Sequence, residues 1–96
     1  AADYVDRISK GNIPEKITEE YNGDFNDIKN NLNTCIDAVN ALIEDAVMLS
    51  VAAVDGRLAT RADASKHGGD FGKIVAGVNQ TLDSVIGPLK VAAGYI

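Results

Sequence analysis

The chain has 96 residues, 46% of them hydrophobic and 24% charged, which describes one soluble domain or two very small ones and excludes a multidomain enzyme. Nine Lys and Arg against fourteen Asp and Glu leave a net charge of -5, so a phosphate backbone is on balance repelled and no nucleic acid is expected as a partner. No stretch reaches the roughly 18 to 20 uninterrupted apolar residues of a membrane helix, the opening residues lack a signal-peptide core, and one Cys with one His makes neither an internal disulfide nor a usual structural zinc site. Trp is absent, aromatic residues are few and only two prolines interrupt a chain rich in Ala, Val, Ile and Leu, so the expected fold is all-α.

In chain order, a short first helix is expected to end at Gly11, whose freedom in left-handed backbone suits a helix C-terminus. Residues 12 to 23 are too polar and irregular for a long helix, but Ile13 and Ile17 lie four apart and can tuck against a bundle. A competing reading makes Asn12 and Glu15 a capping pair for a short helix through Tyr21. From Asp24, placed to cap the first turn, Phe25, Ile28, Leu32, Cys35, Val39, Leu42, Ala46, Leu49 and Ala53 alternate steps of three and four. Neither Gly nor Pro falls between Asp24 and Asp55, so the pattern predicts one helix of about 32 residues with a coiled-coil-like seam, closed by Gly56. A second linker over 57 to 69 carries Leu58 and Ala62. A second long helix, opened by Asp70, follows through Phe71, Ile74, Val78, Leu82, Val85 and Leu89 towards Tyr95. Pro88 interrupts it and predicts a kink, since a helical proline removes one hydrogen bond and clashes with the preceding turn.

These elements repeat. Gly11 to Ile17 overlays Gly56 to Ala62 at an offset of 45 residues, and after one inserted residue Gly23-Asp24-Phe25 falls on Gly69-Asp70-Phe71. Leu32, Asn33, Ile36, Asp37 and Val39 then fall on Val78, Asn79, Leu82, Asp83 and Val85. The last residues echo the first, so the chain is expected to be cut from a longer array.

A glycine ending one helix, a linker of about a dozen residues with two apolar positions, then an acidic residue opening a second amphipathic helix resembles a HAMP domain. That module occurs in histidine kinases, adenylyl cyclases, methyl-accepting chemotaxis proteins and certain phosphatases. On this resemblance Ile13, Ile17, Leu58 and Ala62 match the connector hydrophobics, although Ala62 is smaller than the usual residue. Gly11, Gly56, Asp24 and Asp70 match the helix ends and starts, although the family more often has Glu within an Asp-Glu pair. Pro88 matches the proline common in the first helix of a further unit. The resemblance implies parallel homodimeric four-helix bundles fused in tandem through a continuous helix. The units would be 1–43, with its first helix truncated, and 44–86, with 87–96 starting the next helix. Phe25, Ile28, Leu32, Val39, Leu49, Phe71, Ile74, Val78, Leu82 and Val85 would fill the bundle core. Phrases such as Ile-Ser-Lys-Gly-Asn-Ile-Pro are similar to the tandem arrays of bacterial chemotaxis receptors and some sensor kinases.

The physics is compatible with that architecture. Two amphipathic helices cannot enclose their own core, whereas a second copy supplies the other two. A dozen extended residues reach about 40 Å, enough to travel back along a helix of some 16 residues and start a parallel one.

Single motifs carry less. Asp70-Phe71-Gly72 spells the kinase magnesium motif without its lysine or catalytic loop and reads as a helix start. Asn79-Gln80-Thr81 reads as a chance match to a glycosylation acceptor, Cys35 as a small buried hydrophobe, and His67 as an exposed linker residue. Glu15, Glu19 and Glu20 read as a solvated surface, and Asn33 and Asn79 as polar residues beside the seam or on the surface. No nucleophile, base or metal set converges, so neither catalysis nor a cofactor nor a small-molecule substrate is expected. The expected function is signal relay on the cytoplasmic side of a membrane-associated receptor. The chain would work as a homodimer between the sensor and output domains of one longer chain, meeting the membrane only through other parts of the parent. The rival readings are a passive helical spacer and a monomeric adaptor that binds a partner's helix.

Overall fold

The computed structural model describes residues 2–94, and side chains as far as residue 87. Every regular element among the described residues is helical: α1 (Ala2–Ser9), α2 (Asp24–Val54) and α3 (Gly69–Gly94), with a single 3-10 turn at Ala64–Lys66. The chain divides into two compact units, Ala1–Ala41 and Leu42–Ile96.

In the first unit α1 carries Asp3 in its first turn and Arg7 in its last, each opposite the partial charge of its helix end. The helix closes in a Schellman motif. The Asn12 N–H reaches the Arg7 carbonyl at 2.9 Å and the Gly11 N–H reaches Ile8 at 3.0 Å, which needs the left-handed backbone that Gly11 adopts at φ +79. Residues 12 to 22 form no helix, so the short capped helix through Tyr21 is not made. Pro14 biases Ile13 towards extended backbone, and both backbone groups of Ile17 are taken by the Asn33 side chain, leaving neither for a helical bond. Pro14 and Ile36 are the buried residues of this unit, Ile36 at 1% exposure.

The second unit opens on the C-terminal part of α2 and repeats the same closure. Arg57 N–H bonds Ala52 at 2.8 Å and Gly56 N–H bonds Ala53 at 3.1 Å, with Gly56 at φ +81. Its connector descends to the 3-10 turn, which Asp63 caps by accepting from the Ser65 N–H at 3.0 Å and the Ser65 hydroxyl at 2.6 Å. Leu49 of α2, Ala62 of the connector and Val75 of α3 form the buried cluster, with Leu42, Ala64 and Leu82 packed against it. Burial on this scale contributes about 1.5–3 kcal/mol for each large aliphatic side chain.

α2 and α3 begin on glycine carbonyls. Gly23 accepts from Asn26 and Asp27 at 3.1 and 3.2 Å, and Gly68 accepts from Phe71 and Gly72 at 3.1 and 3.4 Å. Among the described residues Asp24 and Asp70 make no side-chain cap. They stand in the first turns, where the helix dipole favours a carboxylate. α3 is assigned through Gly87 and Pro88 to Gly94, and the kink expected at Pro88 lies outside the residues whose side chains are described. Tyr95 lies outside the described residues altogether.

Candidate functional site

Each connector is held to the helix that follows it by the same device. In the first unit the Asn33 carboxamide pairs with the backbone of Ile17, accepting from its N–H at 2.8 Å and donating to its carbonyl at 3.0 Å. One turn further along α2, Asp37 pairs with Lys16 at 3.1 Å. In the second unit Asn79 accepts from the Ala62 N–H at 3.1 Å and donates to its carbonyl at 2.8 Å, while Asp83 pairs with Arg61 at 2.7 Å. The Asn and the Asp recur in repeat register, each pair facing a basic residue followed by an apolar one in the connector, so this is one clamp built twice. In both units the higher-numbered connector residue meets the lower-numbered helix residue, so the connector runs antiparallel to the helix it is clamped to.

The clamps differ in strength. Lys16 and Asp37 are both largely exposed, a setting in which an ion pair contributes about 0–1 kcal/mol. Arg61 is only 26% exposed, and its guanidinium also donates to the Leu58 and Thr60 carbonyls at 2.7 and 2.8 Å, so it organises the connector as well as pairing across it. The second connector has a further tie. His67 is buried rather than exposed, and its Nε2 lies 2.5 Å from Asp45 Oδ2 of α2. Gly72 makes room for it, because a Cβ there would sit 2.7 Å from the His67 carbonyl oxygen.

Ile13 and Ile17 are half-buried in the first connector; in the second Ala62 is buried and Leu58 exposed. Along the seam Leu49 is buried, and Leu32, Val39, Phe71 and Leu82 are half-buried. Phe25 is 73% exposed, and Ile28, Ile74, Val78 and Val85 are exposed with it. Cys35 is exposed as well, against its reading as a buried hydrophobe. Beside that seam the chain buries Ile36 in the first unit, and Ala52, Val75 and Ile86 in the second. The exposed seam borders an open groove in each unit. Tyr4, Ile17, Tyr21, Phe25, Ile28 and Leu32 line the first. Leu42, Ala46, Leu49 and Ala53 of α2 face Ile74, Val75, Val78 and Leu82 of α3 across the second.

Hydrogen bonds from Ser65 hold the Asp63 carboxyl below its usual range, and the bond to Glu19 pushes the Tyr21 phenol up. Among the described residues no group of three or more His, Cys, Asp or Glu is placed to hold a metal ion, and no helix is long and apolar enough to cross a membrane.

The sequence reading missed the roles of Asn33, Asn79, His67 and Gly72. Its usable signal was the recurrence of Asn and Asp four residues apart at the same place in both repeats.

A family model for the HAMP domain matches residues 1–41 and 66–96. No match was found among curated proteins or among solved structures. The matched segments take in α1, the first connector and α2 as far as residue 41, then the end of the second connector and α3. The chain belongs to the HAMP domain family.

Proposed function

We propose that the chain is two HAMP units in tandem, fused through α2, and that it relays conformational change from a sensor to a kinase-controlling output by switching helix packing in a parallel homodimer. HAMP domains are signal-relay modules of sensor proteins, sit between sensor and output domains of one chain and typically dimerise. The observation that carries the reading is the exposed seam. Phe25, Ile28, Ile74, Val78 and Val85 stand in water along two helices of a single chain, at the spacing that packs knobs into holes against another copy. The clamped connectors support it by holding each connector along the helix that follows it while the apolar seam of that helix stays open.

In this mechanism the dimer has two packings separated by a few kcal/mol, and rotation or tilt of the entering helices favours one of them. Ala46 and Ala53 line the second groove with small side chains, which lowers the cost of repacking. A helix shared by both units passes a phase change from one to the next.

The test is a chimeric receptor in which the chain joins a known sensor to a histidine-kinase output. Replacing the chain by a straight coiled coil of equal length and phase abolishes control of the kinase if packing switches. Retained control contradicts the relay and supports a passive spacer.

A further inference from the structure

We propose that the second connector is a brace joining α2 to α3, with the buried His67–Asp45 contact as its releasable end. Its α3 end is strong. Asn79 holds both backbone groups of Ala62, and Arg61 grips Asp83 while tying down the Leu58 and Thr60 carbonyls. Its α2 end has one polar side-chain contact among the described residues, between an imidazole 2% exposed and a carboxylate 26% exposed, beside the apolar packing of Ala62 on Leu49. Water reaches Asp45 but hardly His67. Release therefore leaves the carboxylate solvated and the imidazole without a partner, a local and reversible cost.

The close approach of His67 to the first turn of α3 depends on Gly72. In the first connector the side-chain bonds to a helix run to α2 alone among the described residues, through Lys16 and Asn33. The repeat position of Gly72 is there held by Asn26. The brace thus belongs to the second unit. It gives a displacement of α2 a route to α3 other than the helix seam, a signalling consequence that rests on the relay reading.

Amide hydrogen exchange on the whole chain tests it. The reporters are the Ala62, Ser65, Lys66 and His67 N–H groups, each bonded within or from the connector. Asp45→Ala and His67→Ala should each speed their exchange about tenfold, with the double variant no faster than the singles and Ile17 of the first connector unchanged. Gly72→Ala should reproduce that local signature without removing either polar group. Should His67→Ala fail to fold, Asp45→Leu, of similar size and without a polar atom, carries the test, with faster exchange confined to the second connector. Additive single effects, equal acceleration in both connectors, or unchanged exchange in Asp45→Leu and Gly72→Ala would overturn the brace. Sedimentation of the same sample keeps the two readings apart, since a monomer that still shows the coupling supports the brace and contradicts only the relay.

Discussion

Gly56 and Gly72 resist substitution for opposite reasons. Gly56 has nothing within 4 Å of where a Cβ would point, but its φ of +81 is left-handed, so Gly56→Ala pays in backbone strain alone. The expected loss is about 1–2 kcal/mol in urea unfolding, with an unchanged m-value. Gly72 has ordinary backbone and no space, so its substitution displaces the connector instead. Asn79 is a third kind of residue. Asn79→Ala strands both backbone groups of the half-to-fully buried Ala62 segment and should cost about 1–3 kcal/mol, with faster exchange of the Ala62 amide as the local readout. Asp63 is sensitive to acid. Its carboxyl is held below the usual range in the folded chain, so the cap's contribution is present above the unfolded value and is lost as pH falls through the folded one. An NMR titration should show the Ser65 amide shifting with the Asp63 carboxyl below about pH 3.9, and a Ser65 amide indifferent to acid contradicts the cap.

At the scale of elements, α2 was readable in the sequence almost to its ends. Its stripe and the absence of Gly and Pro are local properties, and the helix runs Asp24–Val54 against an expected end at Asp55. Schellman closures at Gly11 and Gly56 are readable for the same reason, since the demand for a positive φ falls on one residue. The clamps were not readable. Asn33 meets Ile17 across 16 positions in sequence, and only a folded connector shows which backbone groups are left for a carboxamide to satisfy. His67 was misread because burial depends on Asp45 and Gly72, neither of which its neighbours in sequence reveal. One element-scale prediction follows from the two alanine environments in α2. Ala52 is 1% exposed, so Ala52→Leu overpacks the unit and should cost about 1–3 kcal/mol in thermal or urea unfolding. Ala53 is exposed on the groove, so Ala53→Leu should change stability by no more than about 0.5 kcal/mol yet bias kinase output in the chimeric receptor. Unchanged output with this variant contradicts switching by repacking.

At the scale of the whole molecule, the family accounts for an arrangement that is puzzling in one copy. The connectors are anchored by paired hydrogen bonds and ion pairs, while several of the largest apolar side chains on the seam remain in water. In the proposed dimer a second copy would cover this seam and remove the imbalance, since burial of apolar surface is the dominant favourable term in association. The most direct measurement is sedimentation equilibrium of the chain, with mild oxidation of Cys35 in the same sample. The account predicts a mass twice the 10.1 kDa of one chain, a disulfide between the two copies of Cys35, and loss of the dimer in Val78→Glu. A folded monomer of 10.1 kDa that leaves Cys35 unlinked would contradict it.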